Sequence, residues 1–101
     1  MAEFQYTLHI DFTPENSSRG ERVTATAAFD PQDGAQVIRA MVRIPEYGVL
    51  DTLKPVGDNR YVWQYIIPWE APVGKYNIEF FGFDQAGARG PVVAAEYRVT
   101  G

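Results

Sequence analysis

The sequence predicts an all-β domain in which two antiparallel sheets of about seven strands pack face to face as a sandwich. Three observations carry that expectation. Apolar residues recur at every second position in window after window, while few windows show the 3.6-residue spacing of an amphipathic helix. Clusters of Pro, Gly, Asp and Asn separate these windows at the intervals that a sandwich of short strands requires. Aromatic residues make up 14% of the 101 residues, and their rings favour a pleated, half-buried surface.

The first strand sets Phe4, Tyr6, Leu8, Ile10 and Phe12 against Gln5, Thr7, His9 and Asp11. Thr13 to Gly20 is a loop of turn formers. The second strand, Glu21 to Phe29, turns Val23, Ala25, Ala27 and Phe29 inward, and its small residues leave room for large partners. Asp30 to Gly34 is a turn. The third strand spans Ala35 to Ile44, with Ile38, Ala40, Val42 and Ile44 on one face and Val37, Arg39, Met41 and Arg43 on the other. Tyr47 to Lys54 reads as a short irregular edge segment, followed by a turn through Gly57, Asp58 and Asn59. The strand from Arg60 to Ile67 points Tyr61, Trp63, Tyr65 and Ile67 inward.

The rest is organised around Pro68 to Pro91. Pro68, Pro72 and Gly74 make a turn. Lys75 to Asp84 forms a long strand with Tyr76, Ile78, Phe80 and Gly82 inward. Gln85 to Gly90 forms a polar loop. A last strand, Val92 to Thr100, turns Val93, Ala95, Tyr97 and Val99 inward.

Composition narrows the function. A net charge of −4 and the lack of any basic run argue against a nucleic-acid partner. With no cysteine, neither a disulfide nor a cysteine-based metal site can form. No apolar run reaches membrane-spanning length, so membrane insertion is not expected. The first residues lack the pattern of a signal peptide. The chain starts almost in a strand and stops just after one, as a module of a longer protein would.

From Tyr61 to Gly90 the sequence resembles a bacterial immunoglobulin-like or fibronectin type III-like module. The residues that carry the likeness are Tyr61, Trp63, Tyr65, Ile67 and Pro68, then Ala71, Pro72, Gly74, Tyr76, Ile78 and Phe80, then Asp84 and Gly87. The resemblance implies an immunoglobulin-like sandwich without the inter-sheet cysteine pair of antibody domains. It implies that Tyr76 is a corner tyrosine, its ring in the core and its hydroxyl on nearby backbone. It also implies an extracellular or cell-surface setting in bacteria. There such modules act as spacers between adjoining domains of a parent protein, and some bind ligands or protein partners.

No residue pattern points to catalysis. His9, the only histidine, sits on the polar face of the first strand without a nucleophile beside it. Asp30, Asp33 and Asp84 fall on loops that share one end of such a sandwich. They are candidate Ca²⁺ ligands, but turn-forming Asp routinely bonds its own backbone, so no metal or other cofactor is expected. Asn16-Ser17-Ser18 fits a glycosylation pattern and reads as an ordinary loop. Tyr47 and Trp69 are the candidate sugar platform, since flat exposed rings stack on sugars.

The remaining expectation follows from strand parity. If Phe80 and Gly82 point inward, Phe81 and Phe83 point outward, beside Val37, Met41 and Val92. Arg39 and Arg43 rim that face. Arginine stems over the phenylalanine rings would explain it; so would a contact surface for an adjoining module or for weak self-association.

Overall fold

The computed structural model describes residues 4–32 and 34–101. Among the described residues there are nine strands: β1 (Tyr6–Thr13), β2 (Asn16–Ser18), β3 (Arg22–Pro31), β4 (Arg39–Ile44), β5 (Val49–Thr52), β6 (Lys54–Gly57), β7 (Arg60–Ile66), β8 (Gly74–Phe83) and β9 (Val93–Thr100). One sheet has the order β1-β3-β7-β6 and the other β2-β9-β8-β4-β5. All pairings are antiparallel except β2 with β9.

The strands beyond the expected seven or so are short. β2 has three residues, and β5 and β6 have four each. Most of their side chains are exposed, so they carry no apolar alternation to read. β5 and β6 replace the irregular edge expected there. Leu53 lies between them, only 2% exposed, with its amide on the Ala40 carbonyl at 2.9 Å. That anchor lets the chain leave one sheet at Thr52 and join the other at Lys54.

The alternation of the long strands places the core. β3 sits between β1 and β7, and its alanines face large neighbours on both sides. Ala25 pairs with Phe12 and Trp63, and Ala27 with Ile10 and Tyr61. Both alanines are fully buried, so a larger side chain there would have to displace its neighbours. In the facing sheet Val42 pairs with Phe80 and Ala40 with Gly82. A methyl group on Gly82 would lie 2.8 Å from Val37 Cγ1 and 3.0 Å from Phe29 Cε2, which explains the bare backbone at that inward position.

One inward–outward assignment is corrected. Strand β4 starts at Arg39, and the residues before it do not continue its alternation. Asn59, with φ of 57°, presents its side-chain oxygen to the Val37 amide at 2.9 Å. The Tyr61 hydroxyl donates to the Val37 carbonyl at 2.7 Å, and the Ile38 amide donates to the Phe83 carbonyl at 2.9 Å. These bonds turn Val37 into the core at 5% exposure and leave Ile38 outside at 55%. Parity counted back along β4 gives the opposite because it assumes an unbroken strand.

Tyr76 fills the corner role that the resemblance implies. Its half-buried ring packs on the core, and its hydroxyl donates to the Pro72 carbonyl at 2.5 Å, four residues back. Burial first, and then the neighbouring Tyr47 hydroxyl, push its phenol up from 10.0 to about 12. A phenol held protonated by the fold stabilises it fully below the unfolded value, and that contribution is lost as pH rises through the folded value. Stability should therefore fall between pH 10 and about 12. Tyr76→Phe should lower stability by about 1 kcal/mol at neutral pH. It should also flatten part of the alkaline fall; Tyr6, Tyr61 and Tyr97 are shifted in the same direction and supply the rest. Denaturant titrations at neutral and alkaline pH read both effects, and an unchanged neutral midpoint would remove the corner assignment.

Candidate functional site

The outer face of the five-stranded sheet carries most of the residues that sequence parity groups together. Register sets Arg39 opposite Phe83, Met41 opposite Phe81 and Arg43 opposite Glu79. The two phenylalanine rings meet edge to face at 5.7 Å. Over them lie guanidinium groups: Arg39 is 4.3 Å from the Phe83 centroid, and Arg43 and Arg89 are 5.3 and 5.9 Å from that of Phe81. The Arg43 Nε donates to Glu79 Oε1, which holds that guanidinium in place.

This cover changes the character of the face. Phe81 is only 5% exposed although it points away from the inter-sheet core. Its ring is sandwiched between the sheet and a cationic layer, where apolar burial and cation–π attraction act together. The phenylalanine pair is thus covered by arginine groups, while Leu50, opposite Arg43 on the same face, is exposed. Val37 does not belong to that face, being in the core, and Val92 is half-buried just ahead of β9. Arg89 is the member that strand reasoning missed. It lies on the loop after β8, and an isolated bridge to Phe83 brings it back over the sheet. An arginine directly following a turn that returns to a Phe-rich strand was the available signal.

The sugar candidates lie apart from that face. Tyr47 ends a short 3-10 turn and stacks on Tyr76 at 5.2 Å, which occupies one side of its ring. Trp69 is 76% exposed, and its ring covers the backbone of Gly20, where a methyl group would come within 2.6 Å of the indole. Of the carboxylates, Asp84 accepts from the Ala86 and Ala88 amides, both at 2.9 Å, and so closes its own loop. Asp30 is exposed, and Asp33 lies outside the described residues. His9 Nε2 lies 3.1 Å from Asp11 Oδ2 on the solvent side of β1, an edge strand of its sheet.

No protein-family model matches the chain, and no curated protein matches it in sequence. Solved structures do. The chain is similar to the PKD domain of an M14-like peptidase from a Thermoplasmatales archaeon, with a TM-score of 0.74 at 10% identity over 99% of this chain and 98% of that one. It is similar to Clostridium thermocellum CbhA fibronectin(III)-like modules, with a TM-score of 0.58 at 17% identity over 94% of this chain and 47% of that one. A Niemann-Pick type C2 protein from Japanese carpenter ant gives a TM-score of 0.57 at 12% identity over 98% and 94%. The fold is an immunoglobulin-like β-sandwich, as the residues from Tyr61 to Gly90 imply.

The covered face makes a direct prediction. Phe81→Ala should cost about 3 kcal/mol, the loss expected of a core phenylalanine, even though the residue is on the outer side of the sheet. Chemical denaturation measures it, and a cost near that of an exposed residue would show that the arginine layer does not seal the ring.

Proposed function

We propose that this chain is a non-catalytic structural and interaction module of a larger bacterial secreted or cell-surface protein. It holds adjoining domains apart and docks through the arginine-covered face. The observation that carries this reading is the direction of the chain through the body. Tyr6 packs at the Gly82–Gly90 end of β8, whereas Val99 pairs with Gly74 at the other end. The path thus enters at one end of a 47 × 24 × 17 Å body and leaves at the opposite end. Modules of that kind join head to tail without folding back. Two of the similar structures are named as parts of larger proteins, a PKD domain of a peptidase and fibronectin(III)-like modules, which supports the same arrangement. On the docking face, Arg39, Arg43 and Arg89 would attract an acidic surface on a neighbour, despite the net charge of −4.

Two copies of the chain joined in tandem test the spacer role. Solution scattering should give a rod whose longest dimension is close to twice that of one copy. A compact particle with the two copies side by side would contradict it.

A further inference from the structure

Beyond any spacer role, one end of the sandwich is not filled by its own side chains. A cavity of about 470 Å³ opens between the sheets beneath the connection from β7 to β8. That is within the roughly 300–1,000 Å³ of small-molecule sites. Stacked Trp63 and Tyr65, 4.9 Å apart, line it from the four-stranded sheet. Stacked Tyr47 and Tyr76 line it from the side of the five-stranded sheet. The buried side chains of Val23, Ile78 and Val99 form its inner surface, and Pro68, Ala71 and Pro72 of the connection border it.

Polar groups of Trp63, Tyr76 and Tyr97, which also lines the cavity, are engaged within the protein. Trp63 Nε1 donates to Asp51 Oδ2 at 3.0 Å, the Tyr76 hydroxyl donates to the Pro72 carbonyl, and the Tyr97 hydroxyl donates to the Pro14 carbonyl at 2.9 Å. What faces the cavity is therefore mainly ring and methyl surface. A sugar placed there would lose its water bonds without replacement. Among the described residues that line it, Glu70 is the one acidic side chain, and it is exposed. Arg19 bears on the Tyr76 hydroxyl but does not line the cavity.

We propose that this cavity binds a small amphipathic molecule, with an apolar chain or fused-ring body between the two stacked aromatic pairs and an amine-type, hydrogen-bond-donating end on the Glu70 carboxylate. The inner surface selects for the apolar body. The carboxylate selects against acids of the same length, because two like charges would meet there.

Titration with N-phenylnaphthylamine, an apolar arylamine that brightens out of water, tests the site. Its fluorescence should rise and saturate at one equivalent. Decylamine should then displace it at a concentration about tenfold or more below that needed for decanoate, and Glu70→Gln should narrow the difference. Ala71→Trp, which fills the cavity, should abolish the brightening while thermal stability holds. If that variant fails to fold, nuclear Overhauser contacts from the bound probe decide. Contacts to the methyls of Val23, Ile78 and Val99 support the site, and contacts to Leu50 or Val73 alone overturn it. No brightening overturns it as well, and equal displacement by decanoate overturns the assignment of the donor end.

Discussion

A tyrosine ring can fill an apolar core only if its hydroxyl finds a partner at the rim, and four such rings tie this sandwich together. Tyr6 donates to the Pro91 carbonyl, Tyr61 to that of Val37, Tyr76 to that of Pro72 and Tyr97 to that of Pro14. Each bond fastens a loop or strand entrance to a side chain rooted in a sheet. Tyr6 accepts the Gly82 amide as well, at 2.9 Å, and the Tyr97 hydroxyl meets the buried Ser17 Oγ at 2.5 Å. Among the described residues no buried side-chain polar atom lacks a partner. The cysteine-free chain thus fastens strands and loops at both ends of its body by hydrogen bonds that radiate from the core.

The rings that carry these hydroxyls also organise the packing between sheets. At one end Phe4, Tyr6, Phe29 and Tyr61 form a chain of edge-to-face contacts at 5.3, 4.9 and 5.8 Å. At the other, Phe12 meets Tyr97 at 4.7 Å and Phe80 at 6.2 Å. The first end is densely packed, so Gly90 has to be bare where the Tyr6 ring lies against it. The second end leaves space because its aromatic residues stack in pairs on separate sheets and their polar tips are drawn outward. The body thus has one densely packed end and one that leaves space between its sheets.

The long strands were legible because period-2 alternation reflects burial directly. Val23, Ala25 and Ala27 in β3, Tyr61 and Trp63 in β7, and Ile78 and Phe80 in β8 all lie on the expected inner side. Residues 49–57 were not legible as strands, since short exposed strands have no buried face to impose a pattern. Val37 was placed on the wrong side because its orientation is set by Asn59 and Tyr61, more than 20 residues away in sequence. Strand parity puts Phe81, Phe83, Arg39 and Arg43 on one side of the sheet, but Arg89 reaches Phe81 through the return of a loop, which strand parity does not describe. The tyrosine bonds could have been suspected from inward tyrosines close to Pro14, Pro72 and Pro91 only once the topology had brought those prolines to them.

Tyrosine hydroxyls hold the ends of the sandwich, and the Gly82 amide reports on them most directly. This amide is buried inside β8 and its acceptor is the Tyr6 hydroxyl rather than a neighbouring strand. Amide hydrogen exchange should be compared between the parent chain and Tyr6→Phe. The account predicts that Gly82 loses protection well beyond any loss of global stability, while Ala25 and Trp63, in the centre of the β3–β7 pair, follow the global value. Gly82 exchange that changes only in step with those amides would contradict it.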